Sequence, residues 1–294
     1  MSTVHIPPGR VSAVVLGIMQ DGGLPHVGCR CPRCLAAHTD PRKAEWAACL
    51  GIVDRREKQD AVWLIDATPD IKHQLQLVGD YLGPHPHQAH RLRQPRGIFL
   101  THGHMGHLEG LSQFGTAGMV VDNLQVFSDP GLERYLRETD FWGNGAHMEW
   151  IGVPGNQPVP LAENLIVTPL PVPHRDERGF QTYAYRISGP EKSLLYVPDI
   201  DGWSLWPRAQ QVFATVDHAL VDATFYSGSE LCGRLPVAHP WVEETLSLFA
   251  GQRYELILTH FNHTNPVLDP GSTERSVVVR AGASIAKTGT CYRL

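Results

Sequence analysis

Short apolar runs that stop at a polar residue recur along the chain. Val11–Gly17 is β-branched and apolar, reads as a buried strand, and leads into the glycine-rich turn Asp21-Gly22-Gly23. Ala61–Ile65 predicts a second strand ending at Asp66, and Pro69–Val78 predicts a helix. The polar connector Arg91–Arg96 leads to a third strand, Gly97–Leu100, and a helical Leu108–Leu111 lies shortly beyond it. The second half repeats the habit. Strands are expected at Leu165–Pro169, Thr182–Ile187 and Ser193–Val197, the last running into Pro198-Asp199. Ala219–Val221 precedes Asp222, Leu256–Thr259 precedes His260, and Trp241–Phe249 predicts a helix. Strands mixed with helices, with polar residues at the strand ends, predict an α/β sandwich of two sheets rather than a doubly wound sheet.

Composition narrows the picture a little. The 294 residues are 42% apolar and 19% charged, ordinary for a globular chain with a sizeable core. A net charge of −5 gives no global reason to expect nucleic acid or an anionic membrane as partner. No stretch is long and apolar enough to span a bilayer, and Met1–Arg10 lacks a secretory pattern, so a cytoplasmic location is expected. Without linkers, repeats or low-complexity segments, residues 1–294 read as one domain. Segment 133–150, with Tyr135, Phe141, Trp142 and Trp150, reads as a lid, a dimer contact or core, which leaves a homodimer open.

The chemistry sits at the strand ends. Directly after Gly97–Leu100 comes Thr101-His102-Gly103-His104-Met105-Gly106-His107. Two histidines one residue apart can turn their imidazoles to the same side of an extended loop, and a third at a helix start can close a metal site. Cys29-Arg30-Cys31-Pro32-Arg33-Cys34 offers three thiolates close together, and a tetrahedral structural zinc needs a fourth ligand. Clustered thiols in a large chain without a visible secretory signal suggest metal before disulfides. Chance clustering of histidines, and reactive or merely buried thiols, are the plain alternatives.

Thr-His-x-His-x-x-His after a strand resembles the signature of the metallo-β-lactamase superfamily. Later residues fall in that family's order: His174 in Pro171-Val172-Pro173-His174, Asp199 in Tyr196-Val197-Pro198-Asp199, and His260 in Leu258-Thr259-His260. The resemblance covers nearly the whole chain and implies an αββα sandwich of two mixed sheets flanked by helices. It further implies one metal held by His102, His104 and His174, a second by His107 and His260, and Asp199 bridging them. The cysteine loop resembles the branch that holds the phosphonate-operon cyclic phosphodiesterase and the pyrroloquinoline-quinone biosynthesis B protein. In that branch the loop binds structural zinc with a histidine three residues after the last active-site ligand, the place of His263. Leu16–Pro25 and the stretch His263–Leu268 lean toward the quinone-biosynthesis subgroup, although Asn265 and Pro266 read equally well as a turn. Asp222-Ala223-Thr224-Phe225 with later His239 is similar to the acid–histidine pair of the tRNA-maturing zinc endonucleases, where the histidine protonates the leaving oxygen. His239 also reads as an ordinary surface histidine.

One position departs from the pattern. Gly106 stands where the family has an aspartate that ligates the second metal. Weaker second-metal binding, a mononuclear site or altered chemistry follow as expectations. Asp176 and Glu109 are the nearby acids to consider as replacements, and restoring aspartate at 106 is a discriminator: a gain in second-metal occupancy without activity would point to a non-catalytic binding role. The leading expectation is metal-dependent hydrolysis of a small ester or phosphodiester-like substrate, with structural zinc and one or two active-site ions of zinc, manganese or iron. The alternatives are an iron-dependent oxygenase in cofactor or peptide natural-product maturation and a non-catalytic binding protein. A tRNA-processing role is disfavoured, because the acidic chain carries no basic insertion to grip RNA.

Overall fold

The computed structural model describes residues 4–140, 147–176, 178–231 and 238–294. Two seven-stranded sheets form the body. Across the first, the strands are Cys291–Arg293, Val11–Gly17, Cys49–Asp54, Ala61–Ile65, Gly97–Phe99, Leu124–Ser128 and Met148–Gly152. Across the second they are Ser284–Ile285, Glu255–Thr259, His218–Asp222, Ser193–Val197, Thr182–Ser188, Leu165–Val172 and Val159–Ala162. Each sheet is antiparallel on one side and parallel on the other, which makes both mixed.

Side-chain alternation explains why the strands of the first sheet read as unbroken apolar runs. Ala13, Val15, Ile52, Ile65, Phe99 and Phe127 join the core that spans the two sheets. Their neighbours Val14, Leu16, Val53, Leu64, Ile98 and Val126 instead pack with Ile71 and Leu75 of helix Ile71–Leu77 and Leu132 and Leu136 of helix Pro130–Thr139. Strands covered on both faces lose the polar half of the two-residue alternation. On the second sheet, Trp203, Phe213 and Phe249 form an aromatic cluster, the last two contributed by helices Ala209–Phe213 and Val242–Phe249. Between the sheets Phe99 and Phe127 stack at 4.5 Å, and truncating Phe99 to alanine would cost about 3–5 kcal/mol.

Parallel register is what gathers the polar strand ends. Ile65 pairs with Phe99, so Asp66 and the loop beginning at Leu100 leave the first sheet at one level. Val197 pairs with Val221, Val221 with Leu258 and Asp222 with Thr259, so Asp199, Asp222 and His260 leave the second sheet together. The carboxyl ends of parallel strands form a shared edge, the usual place for a site in α/β folds.

Three differences from the sequence expectation have simple causes. The strand expected at Leu165–Pro169 continues to Val172 through Pro169 and Pro171. The neighbouring strand Val159–Ala162 pairs only as far as Val167, and the carbonyl of Pro169 accepts from Asn156 on that side. The two prolines therefore interrupt no ladder there. Cys49–Asp54, buried throughout, escapes prediction because Gly51 breaks a short apolar run that shows no alternation. Residues 84–92, which reach into the expected polar connector, contain the small ribbon Pro84–His85 and Gln88–Leu92. In segment 133–150, Phe141 and Trp142 lie outside the described residues. Tyr135 packs against Phe180 at 5.5 Å, with the Arg178 guanidinium 5.1 Å from its ring.

Candidate metal centre

The histidine loop is braced before any ion is considered. Asp66, fully buried with a left-handed φ of 72°, accepts hydrogen bonds from the Thr101 N–H (2.8 Å) and hydroxyl. Its other oxygen accepts from His107 Nδ1 at 2.7 Å. The Thr101 hydroxyl in turn accepts from His102 Nδ1 at 3.0 Å. Both rings are thereby held by Nδ1 with Nε2 turned to the sheet edge, the usual arrangement behind metal-binding histidines. Asp176 supports the loop from beneath, accepting from the Gly103 N–H at 3.0 Å and from the Arg178 N–H at 2.7 Å.

Donor atoms then converge. His102 Nε2 lies 2.8 Å from His104 Nδ1, which lies 3.5 Å from His174 Nε2, and that atom is 3.7 Å from Asp199 Oδ1. The other Asp199 oxygen, Oδ2, lies 3.1 Å from His107 Nε2 and 3.3 Å from His260 Nε2. Atoms bonded tetrahedrally to one ion at about 2.1 Å stand roughly 3.4 Å apart. His107 Nε2, His260 Nε2 and Asp199 Oδ2 are buried and make no directed hydrogen bond to protein, as atoms aimed at a common ion should be. His102, His174, His260 and Asp199 also fit divalent ions in their protonation. Burial holds His102 well below the usual imidazole range, and it lowers His174 and His260 too. Burial would raise Asp199, but the surrounding imidazoles, His260 foremost, outweigh it and hold the carboxyl well below its ordinary range.

A carboxylate lies beside the glycine at position 106. Asp21, in the turn that follows the first strand, places Oδ1 3.2 Å from His107 Nε2. Asp21, His107 and His260 form one donor set. A β-carbon added at Gly106 would meet Asp21 Oδ1 at 2.3 Å and its Cα at 2.4 Å. The glycine therefore leaves the space that the Asp21 carboxylate fills, and simple restoration of aspartate at 106 has no room. Neither acid considered from the sequence takes this place. Asp176 is engaged beneath the loop, and Glu109 is exposed. Asp21, Asp66 and Asp199 together surround His107 with negative charge. Burial alone would depress His107, but Asp66 and then Asp199 raise it well above its usual range.

Beside these sets, Asp222 and His239 meet at 2.7 Å through His239 Nδ1. The other demands on Asp222 are met by the Ile200 N–H (3.1 Å), the Thr224 N–H (3.0 Å) and the Thr224 hydroxyl (2.8 Å). That hydroxyl also accepts from His260 Nδ1 at 3.0 Å, which leaves His260 Nε2 to the donor set. His239 and His260 hold left-handed φ values of 76° and 60°, strain that concentrates at functional sites. Burial would lower His239, but Asp222 overrides it and lifts the imidazole to about 9. Asp201, absent from the sequence expectation, lies 3.0 Å from His174 Nδ1 and pairs with Arg175.

Cys29, Cys31, Cys34 and His263 bring their Sγ and ring nitrogen atoms within 4.8 Å of one another. Cys31 caps helix Pro32–Thr39, and its Sγ accepts from the Cys34 N–H. Burial would raise Cys31, but that N–H and the neighbouring thiols outweigh it and lower the thiol, while burial pushes Cys34 up to about 11. His263 Nδ1 is buried without a protein partner. Three sulfurs and an unpartnered imidazole fit a closed zinc site. Asn265 proves to be structural. Its Oδ1 accepts from the Val267 N–H and its amide donates to the Ala223 carbonyl at 2.8 Å.

Residues 63–261 match the family model described as a beta-lactamase superfamily domain. The coenzyme PQQ synthesis protein B of Ruegeria pomeroyi is 26% identical over 94% of this chain and 97% of its own length. The zinc-bound PqqB of Methylobacterium extorquens superposes with a TM-score of 0.80 at 22% identity, over 96% of this chain and all of that one. A diphosphatase of the PhnP family superposes at 0.71 with 20% identity, over 97% of each chain. No helix among the described residues is long and apolar enough to cross a membrane. With more than half of its length matched by the family model, the chain belongs to the metallo-β-lactamase superfamily.

Proposed function

We propose that the chain is a metal-dependent hydrolase of a small phosphodiester or ester-like substrate. The observation that carries the reading is Asp199, which turns one oxygen to each of two donor sets beside the Asp222–His239 pair. His102, His104, His174 and Asp199 would hold one divalent ion, and His107, His260 and Asp199 would hold a second. Ions bound there supply the positive charge that lowers the pKa of water and polarises the bond under attack. Cys29, Cys31, Cys34 and His263 would hold structural zinc.

The protein's own groups divide the remaining work. Asp66, Thr101 and Thr224 orient His107, His102 and His260 so that their donor atoms need no rearrangement. His239, charged over the neutral range, holds a proton for the leaving-group oxygen, while Asp222 occupies Nδ1 and leaves Nε2 to deliver it. A panel of bis(p-nitrophenyl) phosphate and p-nitrophenyl acetate tests the reaction class. His102→Ala and His174→Ala are expected to abolish turnover and reduce bound metal. Full activity in protein stripped of exchangeable metal would refute the reading.

A second reading rests on the similarity to coenzyme PQQ synthesis protein B along nearly the whole chain. Histidine and carboxylate donors suit iron(II) as well as zinc, which supports oxygenation in cofactor or peptide-derived maturation. Oxygen uptake by anaerobically iron-loaded protein, with no phosphodiester cleavage, would favour it. A binding-only role drew on a degenerate second site, and the Asp21, His107 and His260 donor set weighs against it.

A further inference from the structure

We infer that Asp21 is the acidic ligand of the second ion, and that Gly106 is glycine so that this carboxylate can enter from a different part of the chain. The inference rests on the metal-centre reading above but not on which reaction the centre performs.

The argument begins with the turn. Gly23 N–H bonds to the Gln20 carbonyl, and Gly23 holds a left-handed φ of 62°, so the chain folds back within four residues and Leu24 pairs with Glu45. The turn is held against the segment that carries His260. Met19 bridges Phe261, the Gln20 N–H donates to the Phe261 carbonyl, and the Asn262 amide donates to Gln20 Oε1 at 3.3 Å. Asp21 is therefore placed by the same contacts that place His260. Its Oδ1 stands 3.2 Å from His107 Nε2, inside the spacing expected of two ligands on one ion.

Gly106 supplies the second half. Any side chain there would collide with Asp21 backbone as well as carboxylate, the nearest contacts being 2.3, 2.4 and 2.6 Å. A side chain at 106 cannot share this space even with the backbone of residue 21, so the acid enters from the turn. With Asp21 present, His107 Nε2, His260 Nε2, Asp21 Oδ1 and Asp199 Oδ2 make a complete four-donor set, with the first three within 4.8 Å of one another. The chemistry suits a hard or borderline divalent ion such as zinc, manganese or iron(II).

The test counts ions and does not depend on turnover. Protein is stripped with a chelator that spares the cysteine site, then titrated with cobalt(II), zinc or manganese, and bound metal is measured by elemental analysis and cobalt absorption. Wild type is expected to take up two exchangeable ions. Asp21→Asn and Asp21→Ala should take up one, with affinity for the second reduced about 100-fold or more. Gly106→Asp alone should also lose the second ion, because the two acids collide. Retained zinc at the cysteine site and an unchanged circular dichroism spectrum identify variants that fold. Two ions in Asp21→Ala, or one ion in wild type, would each overturn the Asp21 assignment while leaving the first ion's site intact. No exchangeable ion in wild type would instead overturn the metal-centre reading on which the assignment rests.

Discussion

At the scale of single residues the centre is defined as much by what holds the imidazoles as by the imidazoles themselves. His107 has Nδ1 on a fully buried carboxylate and Nε2 turned to the donor set. Asp66→Asn should weaken the second ion about 10–100-fold and the first, reached only through Thr101, by less, as read by competitive metal titration. Asp222 works in the same way on His239. Activity that depends on a protonated His239 is lost as pH rises through its pKa, which the carboxylate holds near 9 despite burial. Removing that negative charge in Asp222→Asn lowers the pKa, so the basic limb of the pH–rate profile should move to lower pH. The turnover number should also fall, by about 100-fold or more. A limb that stays in place would show that another group supplies the proton. Histidines at strand ends and the Asp222–His239 pair were legible in the sequence because their spacing carries the pattern. Asp66 and Thr101 were visible only as neighbours, and Asp201 not at all, since a supporting carboxylate has no spacing signature.

At the scale of elements, parallel register does the gathering. The apolar runs ending at Asp66, Asp199, Asp222 and His260 could be read directly, because a strand that stops at a polar residue announces its own end. Asp21 could not. It follows a strand on the antiparallel side of the first sheet, and contacts of Met19 and Gln20 with Phe261 and Asn262 bring it to the edge. The signal available was the excess of glycine at 22, 23 and 106, which marks close backbone approach without saying what approaches. The same contacts have a consequence for the cysteine site. Asp21 and His260 lie on the two segments that carry Cys29, Cys31, Cys34 and His263, whereas His102, His104 and His174 lie elsewhere. Loss of structural zinc in Cys31→Ser should therefore weaken the second ion more than the first, measured by the same titration. Equal weakening of both would mean that the zinc supports the fold as a whole rather than this edge.

At the scale of the molecule, two mixed sheets present their polar strand ends to one crevice, so binding and stability are linked. An ion that binds only the folded chain, present at about 1,000 times its Kd, adds roughly 4 kcal/mol, which for a chain of this size raises the melting temperature by on the order of 10 °C. Chelation should lower it by a similar amount in calorimetry, and no change would mean that the donor sets hold no ion in solution. Protons compete for the same imidazoles and carboxylates, so the stabilisation should fade on acidification. The most direct test is an anomalous-diffraction map of crystals grown with manganese or zinc. It should show one peak among His102, His104, His174 and Asp199, and a second among Asp21, His107, His260 and Asp199. A zinc-edge map should add a third among Cys29, Cys31, Cys34 and His263. Peaks elsewhere, or an empty edge with the same side chains hydrogen-bonded to one another, would contradict the account.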